Sequence, residues 1–268
     1  MRQANEKLKR NFLMSIKAFT SMSDMREGQS VGHSRRIAEQ ARKLANRLGV
    51  NGREEHDIFL AAMLHDIGKI GFSDALLAKP LSLMDQADRE VYRKHPQRGE
   101  AALMSLDELR EAARLVRAHH EHFDGQGFPD GLADLAIPLG ARILAVVSDY
   151  DDLQIGALTE TRMDASQAKA FLLQSCGKRY DPNVVSAFIA LLGMAEREPS
   201  SDMALGTAEI KPGMVLAQDF LTREGVLLLA VDEVLDDALI QQIRNFELID
   251  GIQLRIHIRR IRSDFHKS

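Results

Sequence analysis

His119-His120-Glu121-His122-Phe123-Asp124-Gly125-Gln126-Gly127-Phe128-Pro129 sets three histidines and an acid at the end of a helical pattern and runs straight into a loop with two glycines and a proline. Upstream, Leu109, Ala112, Val116 and His119 fall on one helical face, so the first imidazole continues the stripe that the aliphatics carry into the core. Two adjacent side chains on a helix point about 100° apart. Imidazoles so placed straddle a metal centre more readily than they find two separate carbonyl partners. On this stretch alone the other reading, a polar helix end followed by a turn, stays open.

Working outward, the pattern recurs. A helix over 31–48, stopped by Gly49, buries the stripe His33, Ile37, Ala41, Leu44 and Leu48. A lone histidine on such a stripe is ordinarily a satisfied core residue, and His33 by itself says no more. Ile58 to Ile70 is apolar on nearly all sides and reads as a central helix, yet it contains His65-Asp66-Ile67-Gly68-Lys69. Burying a carboxylate there costs several kcal/mol unless it is paired or metal-bound. Asp66 therefore needs a cation. Pro96 forces His95 out of helical geometry while starting the next helix, so the backbone aims that imidazole.

Further helices are expected over 4–23, with Leu8, Phe12, Ile16 and Phe19 on one stripe, and over 85–94, 97–105, 108–122, 140–153, 164–175 and 181–195. Glu196 to Gly206, with Pro199-Ser200-Ser201, reads as a polar linker. Beyond it, Met214 to Ala217 and Val226 to Val231 read as strands, followed by a helix over 236–246 and a strand over 252–261. The fold class is mainly α, a helical bundle with a small C-terminal α+β domain.

The 268 residues, 45% hydrophobic and 28% charged, describe a globular chain with a sizeable core. A net charge of −4 with scattered Lys and Arg argues against a nucleic-acid polymer as partner. The single Cys176 excludes an internal disulfide and a Cys-based zinc site, and no apolar run is long enough to span a bilayer. A cytoplasmic location with no membrane partner is expected.

His33, His65, Asp66, His95, His119 and His120 come from separate helices or helix ends, each on a buried stripe or fixed by a proline. Such N/O donors without thiolate suit two divalent ions, iron or manganese in preference to zinc or magnesium. Five imidazoles and a carboxylate exceed one tetrahedral site, whereas two metals about 3.5–4 Å apart, bridged by Asp66, would use them all. A centre of that kind generates a nucleophile at neutral pH and clamps phosphoryl oxygens, so phosphodiester hydrolysis is the chemistry it suits.

Over residues 15–195, His65-Asp66-Ile67-Gly68-Lys69, His95-Pro96, His119-His120-Glu121 and Asp124-Gly125-Gln126-Gly127-Phe128-Pro129-Asp130-Gly131-Leu132 resemble the HD-GYP branch of the HD phosphohydrolases, bacterial enzymes that hydrolyse cyclic di-GMP. The resemblance implies an N-terminal helix over 1–24 that joins an upstream receiver domain, an HD-GYP domain over 25–196 and a small C-terminal domain over 206–262. It implies His33, His65, Asp66, His95, His119 and His120 as metal ligands and Lys69 and Asp66 as the catalytic pair. Lys69, Gly127, Phe128 and Arg162 are expected to meet a cyclic dinucleotide, which is opened to pGpG and further to GMP. A partner signalling protein, or a second copy paired through the N-terminal helix, is also implied.

The chain departs from the family pattern in four places. Phe128 stands where the name-giving tyrosine sits, and Gln29 where three-metal members carry a glutamate. Ser148 aligns with the family's late aspartate, and Asp149, one residue on, is expected to take over as the last acidic ligand. Gly156 to Arg162 replaces the family's Arg-Pro-Tyr-Arg-like segment. Two other readings stand beside a cyclic di-GMP phosphodiesterase: a phosphohydrolase for another nucleotide, and a catalytically silent signalling module.

Overall fold

The computed structural model describes residues 2–26, 32–195, 202–218, 220–221, 227–229, 233–251 and 253–259. Gln29 and Pro199-Ser200-Ser201 lie outside them. The chain divides into two units, Met1–Ala195 and Glu196–Ser268.

In chain order the first unit runs through α1 (Arg2–Arg26), α2 (His33–Arg47), α3 (Gly52–Leu64), α4 (Asp74–Leu77), α5 (Gln86–Tyr92), α6 (His95–Leu103), α7 (Arg110–Ala118), α8 (Leu139–Ile155), α9 (Ala165–Gln174) and α10 (Pro182–Ala195). The core is built on the apolar second half of α3 and on α8. Leu60, Ala61, Ala62, Met63 and Leu64 of α3 and Ile143 to Val147 of α8 are all buried. Amphipathic α2 lays Ile37, Ala38, Ala41 and Leu44 on them, and α1 adds Ile16 with Phe12 and Leu13 alongside.

Two expected helices stop short, and both stops create the site. The helix over 58–70 ends at Leu64 and resumes as a 3-10 turn, Ile67–Gly71. A Cβ on Gly68 would stand 2.0 Å from the His95 carbonyl oxygen. Only glycine permits this approach, which brings the Asp66 turn against the first residue of α6. The helix over 108–122 ends at Ala118, and His119 caps it in place of extending it.

The second unit has its own core of Ile210, Leu216, Phe220, Leu235, Ile240, Ile243, Leu254, Ile256 and Ile258. β1 (Asp202–Leu205) pairs antiparallel with β4 (Ile256–Arg259), and β2 (Phe220–Leu221) with β3 (Leu227–Leu229). The β1–β4 pair brackets α11 (Asp237–Asp250) in the chain order, while β2 and β3 both precede it. The polar stretch read as linker up to Gly206 thus contains a strand. Met214 to Ala217, read as a strand, forms only single bridges, Val215 to Val234 and Leu216 to Ile258. Among the described residues, no helix is long and apolar enough to cross a membrane.

Candidate metal centre

The fold gathers all six expected ligands. His95, His119 and His120 form one group of ligand atoms, and His33, His65 and Asp66 a second, all six side chains buried. All lie at or beside helix ends: His33 and His95 open α2 and α6, His65 and His119 cap α3 and α7, His120 follows the α7 cap, and Asp66 precedes the 3-10 turn.

Three of the imidazoles are turned by the same device. His65 Nδ1 lies 2.9 Å from the Ala62 carbonyl, His95 Nδ1 2.8 Å from that of Tyr92, and His119 Nδ1 2.5 Å from that of Val116. A carbonyl only accepts, so the proton sits on Nδ1 and Nε2 presents a lone pair. His95 Nε2 and His119 Nε2 then face each other at 3.3 Å with no proton between them. Protonating one would relieve the clash, but burial lowers the pKa of His119 and pushes that of His95 well below the ordinary value. Burial likewise takes His65 down to about 3 and His120 well below the usual range. Neutral, buried donors aimed at one another fit a divalent cation.

Asp66 touches both groups. Its Oδ2 accepts Lys69 Nζ at 2.6 Å and lies 3.4 Å from His65 Nε2, while Oδ1 lies 3.6 Å from His95 Nε2. Burial alone would raise its pKa; His65, Lys69, His95 and His33 outweigh burial and hold it well below the carboxylate range. On the other flank, His33 Nδ1 is 2.7 Å from Asp151 Oδ2, and Arg36 grips the same carboxylate at 2.9 and 2.7 Å. Burial lowers the His33 pKa, but Asp151, Asp152 and Asp66 together raise it to about 9. A metal at Nε2 would displace the proton those acids favour. His33 Nε2 is buried without a hydrogen-bond partner and stands 3.5 Å from Asp152 Oδ1. Burial pushes the Asp152 carboxyl up to about 7.

Asp149 stands apart from the two ligand groups. Its Oδ2 receives Arg179 Nε and Tyr180 Oη, each at 2.6 Å. One residue of α-helix turns a side chain by about 100°, and α8 shows no bulge to undo that turn. Arg142, seven residues before Asp149, pairs with Asp181 instead.

The loop after His120 is held by Glu121, whose two carboxylate oxygens accept Asp130 N at 2.7 Å and Leu132 N at 3.0 Å. Gly127 is required here, because a Cβ would stand 2.1 Å from His122 N. Phe128 stacks on His120, ring centroids 4.9 Å apart, and packs on the apolar cluster of Phe72, Leu76, Leu77, Met84 and Tyr92. Lys69, Tyr92 and Asp152 line a neighbouring cavity with Lys79 and Leu158. Arg162 is not brought to this place. Leu81 N and Ser82 N bond to the carbonyls of Ala157 and Leu158, and Arg162 lines a different cavity with Ser82, Gln167 and Phe171.

Sequence reasoning missed Asp151, Asp152, Tyr92 and the clamping role of Glu121. The signal for the first two was present: Asp151 and Asp152 follow Ser148 by three and four residues, the spacing that returns to one helical face.

Residues 17–184 match the family described as HD domain. The cyclic di-GMP phosphodiesterase response regulator RpfG of Xanthomonas campestris is 34% identical over 71% of this chain and 50% of its own length. A 3'3'-cGAMP-specific phosphodiesterase of Vibrio cholerae is 31% identical over 68% of this chain and 40% of its own. The chain thus spans about half the length of the curated relatives it matches. Among solved structures, a cyclic GMP-AMP-specific phosphodiesterase of Vibrio cholerae shares the fold, with a TM-score of 0.54 at 21% identity over 66% of this chain and 48% of that one.

Proposed function

The chain belongs to the HD domain family, in its HD-GYP branch, and from that premise we propose that it is a metal-dependent phosphodiesterase that opens cyclic di-GMP to pGpG, with GMP as a further product. The observation that carries the reading is the pair of ligand groups joined through Asp66, with Nε2 lone pairs facing one another in a buried site. His33, His65, His95, His119, His120 and Asp66 would hold two divalent ions, iron or manganese in preference to zinc. When bound, the ions supply Lewis acidity and a nucleophile at neutral pH.

The chain's own residues do the rest. Asp66 ties the two groups together, and Lys69, already on Asp66, offsets negative charge that builds on phosphorus. The carbonyls of Ala62, Tyr92 and Val116 keep three imidazoles in the tautomer that offers Nε2. The Glu121-held loop presents Gly127 and Phe128 as a wall beside His120. Lys69 and Phe128 are the substrate contacts this geometry supports; Arg162 joins them only if its segment moves. The α1 helix, with Met14, Phe19, Met22 and Met25 exposed, is the element through which an upstream receiver domain, a partner signalling protein or a second copy would couple to the cytoplasmic enzyme.

A second substrate has specific support. The Gly156 to Arg162 segment departs from the family pattern, and relatives matching this chain include 3'3'-cGAMP-specific enzymes. The test is hydrolysis of both cyclic dinucleotides by Mn²⁺- or Fe²⁺-loaded protein, with products resolved by chromatography. Linear dinucleotide from cyclic di-GMP, abolished by chelator, is expected. Turnover of 3'3'-cGAMP alone would move the substrate assignment, and turnover of neither would favour the silent module.

A further inference from the structure

Four residues of α8, Ser148, Asp149, Asp151 and Asp152, lie on the side of the helix nearest the ligand groups or one step around from it, and the structure separates their duties. Ser148 Oγ donates to the Leu144 carbonyl at 2.8 Å, turned back on its own helix. Asp149 is held by Arg179 and Tyr180. Asp151 orients His33 through Nδ1 and is gripped by Arg36. Asp152, like Asp149, stands outside the two ligand groups, but it faces the opposite nitrogen of the same ring, His33 Nε2, which is buried and has no hydrogen-bond partner.

The separation is informative. Two donors bound to one ion at about 2.1 Å each stand about 3.0–3.4 Å apart for right-angled to tetrahedral arrangements. Along the centre, the spacings are 3.3 Å for His95 Nε2 to His119 Nε2, 3.4 Å for His65 Nε2 to Asp66 Oδ2 and 3.6 Å for His95 Nε2 to Asp66 Oδ1. His33 Nε2 to Asp152 Oδ1, at 3.5 Å, belongs to the same series. Four residues of helix turn a side chain by about 400°, which returns Asp152 to within about 40° of the direction of Ser148, one turn further along. One residue, as for Asp149, does not.

We infer that Asp152 is the last acidic ligand of the metal centre, binding the ion held by His33 and supplying from one helical turn away the carboxylate that Ser148 lacks. The inference rests on the metal-centre reading above. It explains why Asp149 is free to serve an ion pair.

The test uses the full chain, stripped with chelator and titrated with Mn²⁺, comparing wild type, the isosteric Asp152→Asn and Ser148→Ala. Asp152→Asn is expected to bind Mn²⁺ at least about tenfold more weakly at one site, with Ser148→Ala unchanged and the circular dichroism of all three alike. Asp152→Asn within about threefold of a wild type that binds Mn²⁺ would overturn the inference and leave the metal centre standing. A wild type that binds no Mn²⁺ or Fe²⁺ would overturn the centre itself. A crystal structure of Mn²⁺-loaded wild type decides the matter without any variant. An Asp152 carboxylate oxygen is expected within about 2.0–2.3 Å of an ion; one beyond about 3 Å would overturn the assignment.

Discussion

The two ligand groups reach similar spacings by opposite electrostatics. His95, His119 and His120 form an all-imidazole half with no acid in the group, every ring pushed toward neutrality by burial. The other half is rich in acid: Asp66 within it, with Asp151 and Asp152 on the two nitrogens of His33. Cations of the protein itself already compensate the acidic half, Lys69 on Asp66 and Arg36 on Asp151. The lesson is that one half is built to attract positive charge and the other only to coordinate it, with Asp66 as the link.

Breaking the link should have the largest effect. Asp66→Asn removes the one carboxylate that touches both halves, so bound metal is expected to fall in both and hydrolysis by on the order of 10³-fold or more, about 4 kcal/mol. Retention of one full equivalent of metal in that variant would show that the halves are independent. Next comes His119→Ala, which strips the imidazole half alone. Metal analysis is expected to show about two ions falling to about one, with the remaining ion held by the acidic half. A smaller change follows from Asp151→Asn, which leaves every ligand in place but loses the carboxylate that fixes the His33 ring. Outer partners of this kind are worth about 10–100-fold in metal affinity, and isothermal titration should find a loss in that range confined to one site. Least is expected of Phe128→Tyr. The ring stacks on His120 and fills the apolar cluster beneath the loop, so metal content and kcat should stay within about tenfold, about 1.4 kcal/mol. A larger change in either direction would place the hydroxyl position at the reacting group.

The same comparison marks what could be read from residues alone. His33 and His119 sat on apolar stripes and Asp66 lay in a run too apolar to leave a carboxylate unpaired; His95, expected outside helical geometry because of Pro96, is instead the first helical residue of α6, its ring turned by the Tyr92 carbonyl. The helix ends at Leu64 and Ala118 were not legible, because they are decided across the fold. Gly68 closes on the His95 carbonyl, and the chain after His119 is held by Glu121 bonds to Asp130 and Leu132. Along α8 the acids were all visible, and helical spacing already set Asp151 and Asp152, not Asp149, on the face of Ser148. Asp149 had the right charge and the wrong angle, and its partner Arg179 lies in a loop that periodicity cannot position. The segment of Arg162 is divided between two cavities: Ala157 and Leu158 line the one beside Lys69 and Asp152, and Arg162 lines another with Ser82 and Gln167. Along the second unit, β1 was hidden in a stretch whose polar composition reads as linker, and only its pairing with β4 makes it a strand.

The central claim is that these two halves form one dinuclear centre, and metal stoichiometry of the folded protein tests it most directly. Elemental analysis of chelator-free protein, with Mn²⁺ or Fe²⁺ added back, should give about two divalent ions per chain. One ion or fewer per chain, unchanged by added Mn²⁺ or Fe²⁺, would contradict it.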